Sequence, residues 1–181
     1  VAHIHCEDVS GILGENFTFP VKIDQNFGEI TWTKNKDKVA EWEALTETTY
    51  FNSLRNRGLL NKENGCLTIF NLQNNDSGTY VLDYVDSQRR SHVLTFILAV
   101  LAPPSEPEIS CNISGDNFVL KCTADFPKPL NYTWKFSSKQ IVTPTQEVLI
   151  PKKDVDASEK ASCSIKFSQT EQSSEISLTL C

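Results

Sequence analysis

Asn117-Phe118-Val119-Leu120-Lys121-Cys122, Asn131-Tyr132-Thr133-Trp134-Lys135-Phe136 and Ala161-Ser162-Cys163-Ser164-Ile165-Lys166-Phe167 are the three runs that decide the fold. Each is short, aromatic or β-branched, and bounded by polar and turn-forming residues, which is the signature of a strand. Cys122 ends the first run, Trp134 follows twelve residues later, and Cys163 lies on the third. That order places an indole against a cysteine pair linking two packed sheets.

Outward from these runs the same grammar holds. No convincing amphipathic helix of twelve residues occurs, and the chain reads as all-β. In the first half, strands are expected at 16–23, 29–34, 39–43, 66–72, 79–84 and 92–101. In the second, they are expected at 108–112, 117–123, 131–136, 147–150, 161–167 and 175–180. Between the halves lies Ala102-Pro103-Pro104-Ser105-Glu106-Pro107, whose prolines remove amide donors, so no sheet continues through it. The expectation is therefore two tandem immunoglobulin-like β-sandwiches: a variable-like domain over 1–101, a linker at 102–107 and a constant-like domain over 108–181.

The first half repeats the pattern with a difference. Gly14-Glu15-Asn16-Phe17-Thr18-Phe19-Pro20-Val21 leads to Trp32, and Asp76-Ser77-Gly78-Thr79-Tyr80-Val81-Leu82 has the form of a tyrosine corner. The two positions that would carry cysteines hold Val21 and Leu82. A disulfide there would contribute about 2–4 kcal/mol, so apolar packing of Val21, Leu82 and Trp32 must take its place. Arg57 and Asp76 match the ion pair that closes the bottom of a variable-type domain.

Six cysteines, at 6, 66, 111, 122, 163 and 181, show no paired C-x-x-C knuckle of the kind a zinc ribbon needs. The expected bonds are Cys122 to Cys163 across the second sandwich and Cys111 to Cys181 bracketing its first and last strands. Parity and an oxidising compartment then join Cys6 to Cys66. Four N-x-[ST] sequons, at Asn16, Asn75, Asn112 and Asn131, point to the same secretory route. Position 1 is not Met and no charged-then-apolar leader precedes the fold, so the chain reads as a mature ectodomain with its membrane anchor beyond Cys181.

Composition excludes several classes. With 39% apolar and 22% charged residues the chain buries a core and is not a disordered tract. The formal charge of −6 divides as 9 basic and 13 acidic residues up to Leu101 and 8 and 10 after it, so neither half has the basic footprint of a nucleic-acid binder. The apolar run 93–102 is about half the length of a membrane helix. No nucleophile elbow, P-loop or dinucleotide fingerprint occurs, and the histidines are His3, His5 and His92 alone. An enzyme is not expected, nor a cofactor. His3-Ile4-His5-Cys6 is the nearest thing to a metal site; a frayed terminal strand explains it better, and no metal is expected. Glu41 and Glu43 share a strand face by the period of two and read as surface charge rather than a glycosidase pair.

A variable-like sandwich lacking the inter-sheet disulfide, a short proline linker and a constant-like sandwich with two disulfides together resemble the signalling lymphocyte activation molecule family of leukocyte surface proteins. The resemblance covers the whole chain. Trp32-Thr33-Lys34-Asn35-Lys36-Asp37-Lys38-Val39-Ala40-Glu41-Trp42-Glu43, then Asn56-Arg57 and Leu67-Thr68-Ile69-Phe70-Asn71-Leu72, is similar to the member that is the ligand of the T-cell receptor for sheep erythrocytes. What this implies is a cell-adhesion ligand whose membrane-distal domain presents a charged sheet to a receptor on an opposing T or natural killer cell. A ligand of another receptor of the family on natural killer cells, or a viral decoy copy, is the alternative. Carried across by position, the family's partner-binding residues fall on Glu29, Lys34, Lys36, Asp37, Lys38, Glu41, Glu43, Phe51 and Asp83. Thr33 stands where the family has a basic residue, one residue is inserted between Glu43 and Phe51, and the 86–92 loop is longer. Taken alone, a Lys/Asp turn is ordinarily a solvated loop. The sequons weigh against that here, since none falls in 29–51 or 80–101, stretches that supply neighbouring strands of one sheet.

Overall fold

A computed structural model of the chain describes residues 5–137, 139–141, 144–156 and 158–181. It divides into two compact units, Val1–Ala102 and Pro103–Cys181. No strand runs through 102–107.

The first unit is built from β1 (Cys6–Ile12), β2 (Phe17–Thr18), β3 (Phe27–Lys34), β4 (Asp37–Glu43), β5 (Thr49–Tyr50), β6 (Gly58–Leu60), β7 (Leu67–Ile69), β8 (Gly78–Asp86) and β9 (Ser91–Leu101). One sheet runs β1-β9-β8-β3-β4-β5 and the facing sheet runs β2-β7-β6. This is the variable-type arrangement, with two extra strands beside the central pair. Alternation on β8 turns Tyr80, Leu82 and Tyr84 inward, and Trp32 lies opposite Leu82 in register. Trp32 is fully buried, packs on Phe19 at 5.0 Å and on Phe96 at 5.9 Å, and donates its indole N–H to the Gly65 carbonyl at 3.1 Å. Buried Val21 and Leu82 join this cluster, so apolar packing bridges the sheets where a disulfide is expected of the fold.

The tyrosine corner and the bottom ion pair form one unit. Tyr80 donates its hydroxyl to the Asp76 carbonyl at 2.6 Å, and burial together with the Asp76 charge pushes that hydroxyl above its ordinary pKa, so it stays a donor. The Asp76 carboxylate, fully buried, accepts from Arg57 Nη1 at 3.2 Å, Arg57 Nη2 at 2.6 Å and the Gln73 amide at 2.8 Å. Arg57 also donates to the Asn71 and Ser53 carbonyls.

Three local expectations change. The strand expected at 16–23 contracts to β2, because Pro20 has no amide hydrogen to extend the ladder. The run 6–12 becomes an edge strand, pairing parallel to β9 from Cys6 opposite Thr95 to Ile12 opposite Leu101. At Gly11 this strand passes so close to the core that a Cβ would stand 2.4 Å from Leu72 Cδ1. The expected Cys6–Cys66 bond is not formed, and both thiols are free. Cys6 sits on the six-stranded sheet, whereas Cys66 leads into β7 of the facing sheet and aims its sulfur at the Val21 carbonyl 3.8 Å away.

The second unit comprises β10 (Glu108–Ser114), β11 (Asn117–Thr123), β12 (Asn131–Phe136), β13 (Lys139–Ile141), β14 (Glu147–Pro151), β15 (Lys160–Phe167) and β16 (Thr170–Ser177). Its sheets run β10-β11-β14 and β13-β12-β15-β16. A constant-type domain carries four strands on the first of these sheets and three on the second; here β13 has crossed to the second, so the unit is constant-like with one edge switched. Cys122 and Cys163 are bonded across Cα atoms 6.4 Å apart, and Cys111 and Cys181 across 5.2 Å, both within the span a disulfide bridges. Buried Trp134 lies opposite Cys163 in register and donates to the Thr145 carbonyl at 3.0 Å. The last strand starts earlier than expected, because Ser168, at φ +57°, closes a tight hairpin that sets Phe167 opposite Thr170. Residues 178–180 form a 3-10 turn in its place.

Candidate functional site

The outer surface of the six-stranded sheet follows from alternation and register. On β3, Ile30 and Trp32 face the core, so Glu29, Thr31 and Thr33 face out. Glu29 lies opposite Glu43, and Thr31 lies between Glu41 and Asp83. Thr33 lies between Lys38 and Val81, while Asp83 and Val81 in turn oppose Val93 and Thr95. A β-bulge on β4 turns both Val39 and Ala40 inward, which keeps Lys38 and Glu41 on the outer side. Phe51, half-buried, continues from β5 with its amide on the Val39 carbonyl at 2.9 Å.

The β3–β4 hairpin closes with Asn35 and Lys36 at φ +47° and +78°, the backbone of a two-residue primed turn. Asn35 fastens this tip to β8, donating its backbone amide to the Thr79 carbonyl at 2.8 Å and accepting the Thr79 amide on Oδ1 at 2.9 Å. Lys36 and Asp37 are exposed at the tip. Lys34 departs from expectation. It shares the inward parity of Ile30 and Trp32, donates to the Asn75 carbonyl and lies 6.0 Å from the Tyr80 ring centre. It is thereby removed from the outer face.

Sequence reasoning thus brings Glu29, Lys38, Glu41, Glu43 and Asp83 onto one surface, with Lys36 and Asp37 at its edge. Lys38 pairs with Glu41 at 2.6 Å. Among the described residues no cation pairs with Glu29, Glu43 or Asp83, and Glu29 and Glu43 stand directly opposite one another, an arrangement that opposes strand pairing. An unneutralised acidic strip with exposed Lys36 and Lys38 at its margin suits a partner that sets basic groups against the strip and acidic groups against the lysines. Beside it runs an apolar stripe that sequence reasoning missed: Val93 and Ile97 are 53% and 42% exposed, and Val81 and Val85 are half-buried. The signal was present, since apolar residues on both parities of 93–100 are the pattern of a strand covered on both sides.

At one end of this face the β8–β9 loop is pinned by a single carboxylate. Asp86 is 4% exposed; its Oδ1 accepts the Gln88 and Arg90 amides at 2.9 Å, and its Oδ2 takes Arg90 Nε at 3.1 Å and contacts His92 Nε2 at 2.9 Å. The His92 bond, then the Arg90 amide, hold its pKa well below the ordinary carboxylate value. His92 stacks on Tyr84 with ring centres 4.7 Å apart.

All four sequon asparagines are exposed. Asn16 precedes β2 on the facing sheet and Asn75 lies in the turn before β8, so neither is on the outer face. Asn112 and Asn131 belong to the second unit. Of the candidate metal motif, His3 lies outside the described residues. His5 is engaged otherwise, with Nδ1 accepting the Thr95 amide at 3.2 Å and Nε2 3.5 Å from Glu7.

No family model matches the chain. It is 28% identical over 196 residues to human lymphocyte function-associated antigen 3, a match covering all of this chain and 76% of that protein. Among solved structures, the CD2-binding domain of CD58 (lymphocyte function-associated antigen 3) aligns with a TM-score of 0.54 at 23% identity, over 95% of this chain and 96% of that one. The first immunoglobulin-like domain of human CD48 antigen aligns with a TM-score of 0.53 at 23% identity, over 62% of this chain and 96% of that one. The structural matches carry the immunoglobulin-like fold, and the full-length similarity carries the likeness to lymphocyte function-associated antigen 3.

Proposed function

We propose that this chain is a cell-surface adhesion ligand whose first unit binds CD2, the sheep-erythrocyte receptor of T cells and natural killer cells. Binding runs through the outer face of β3, β4, β8 and β9, and the second unit serves as the membrane-proximal stalk. The observation that carries this reading is the unneutralised strip of Glu29, Glu43 and Asp83, free of sequons, on a chain similar throughout to a protein with a CD2-binding domain. Two disulfides and four exposed sequons support an extracellular setting.

Opposed charges across an interface give orientation and selectivity more than affinity, because desolvation offsets much of the Coulomb attraction. Single bonds are then weak and short-lived. Adhesion comes from many copies confined between facing membranes, where effective concentration rises without new contacts.

Surface binding to the CD2 ectodomain tests the reading. Reversing Lys36 and Lys38 together to Glu, or Glu41→Lys alone, is expected to weaken binding at least about tenfold, or 1.4 kcal/mol. Thermal stability stays nearly constant, since exposed charges contribute about 0–1 kcal/mol to folding. Binding also weakens as salt is added. Reversal of Lys152 and Lys153 in the second unit is the control and leaves binding unchanged. Undiminished binding by the folded, charge-reversed face would return the Lys36–Lys38 turn to the status of a solvated loop.

A further inference from the structure

The turn joining β4 to β5 displays a leucine in a conformation and an exposure that folding alone does not favour. Leu45 is 104% exposed, with φ at +71°. Left-handed backbone is ordinarily left to Gly or Asn, because a bulky side chain collides with its own carbonyl there. At that exposure no apolar burial within the unit rewards the choice. The turn is nevertheless firmly built. The Thr46 amide and hydroxyl both reach the Glu43 carbonyl, at 3.1 and 2.7 Å, and the Trp42 indole N–H donates to the Thr46 carbonyl at 3.1 Å. The Ala44 amide donates to the Gly28 carbonyl at 2.8 Å, tying the turn to the start of β3. Trp42 is itself seated against Phe27, 6.2 Å between ring centres, at the margin of the core.

Position and charge indicate what Leu45 meets. Residues 26 and 27, at the head of β3, are also tied to the β8–β9 loop, through the Ser87 amide on the Asn26 carbonyl and the Phe27–Asp86 pairing. The β4–β5 turn and the β8–β9 loop therefore project from one end of the sheet, the end whose loops form the recognition surface of variable domains. Exposed Glu43 and Glu47 flank Leu45, and Glu43 belongs at the same time to the acidic strip of the outer face. We propose that Leu45 is a prepositioned apolar anchor that extends the receptor-binding face over its upper rim, seating in an apolar pocket of the receptor edged by basic side chains. This rests on the proposed CD2-binding reading. The backbone strain is carried in the free ligand, so little further ordering is needed on binding.

The test is surface binding to the CD2 ectodomain by the 181-residue chain and three variants, each with its thermal midpoint measured. Leu45→Gly relieves the left-handed backbone and Leu45→Asn tolerates it; both remove the apolar group, whereas Leu45→Met keeps it. The expected result is a thermal midpoint for Leu45→Gly and Leu45→Asn no lower than that of the unmodified chain, with binding at least about tenfold weaker, the scale of an interface anchor. Leu45→Met is expected to bind within about twofold of the unmodified chain. Equal binding by Leu45→Gly and the unmodified chain overturns the anchor while leaving the receptor reading intact. Failure of the unmodified chain to bind overturns both.

Discussion

Trp32→Ala is expected to remove about 3–5 kcal/mol from the first unit, the usual cost of truncating a buried aromatic to Ala. A domain of this size commonly has about 5–15 kcal/mol in total, so the loss takes roughly a fifth or more of what holds the unit together. Trp32 is fully buried among Phe19, Phe96 and Leu82, and its indole N–H caps the Gly65 carbonyl, which the substitution leaves unpaired. No covalent link crosses these sheets, because Val21 and Leu82 occupy the linking positions. Trp134→Ala makes a comparable cavity, but the Cys122–Cys163 bond remains to restrict the unfolded chain, worth about 2–4 kcal/mol. Calorimetry of the whole chain should therefore show each substitution displacing its own unit's transition, with the first unit, which has no such bond, left the nearer to unfolding. One transition moved equally by both changes would contradict two independently cored units.

Arg57→Ala is expected to cost about as much, roughly 3–5 kcal/mol, because it strands a buried charge. Asp76 is fully buried, and two of its hydrogen bonds come from the Arg57 fork. Removing Arg57 also frees the Asn71 and Ser53 carbonyls. Arg57→Lys keeps the charge but cannot reproduce the two-pronged geometry, so an intermediate loss is expected. Urea unfolding reports these as shifted midpoints with an unchanged slope. A loss below about 1 kcal/mol for Arg57→Ala, the value of an exposed pair, would show that the pair carries little of the fold.

The residues that made the architecture legible are those whose neighbours are set by the fold's own spacing. Cys122, Trp134 and Cys163, and in the first unit Trp32, Tyr80, Arg57 and Asp76, find their partners as the spacing implies. What was hidden depends on partners far along the chain. β1 carries charges and a glycine and becomes a strand only because β9 accepts it, and no local pattern announces a parallel pairing across about ninety residues. Cys6 and Cys66 paired by parity of count, yet the same pairing of β1 to β9 places Cys6 on the sheet that Cys66 does not share. Lys34 differs from its reading for another reason. Counting by two from Ile30 and Trp32 would have turned it inward, but a lysine in a charged run reads as exposed. Leu45 had no local signal, because its exposure comes from a positive φ that the sequence Ala44-Leu45-Thr46 does not advertise.

A single substitution puts the proposed face under direct trial. Val93→Asn creates an N-x-T sequon with Leu94 and Thr95 on the outer surface of β9, opposite Asp83, at a side chain that is half exposed already. Expressed in a glycosylating cell, the variant is expected to carry a glycan on the β9 margin of the face, directly beside Asp83, to fold with an unchanged thermal midpoint, and to lose CD2 binding. Enzymatic removal of that glycan should restore most of the binding. Full CD2 binding by the folded, fully glycosylated variant would place the receptor contact elsewhere and contradict the assignment of this sheet.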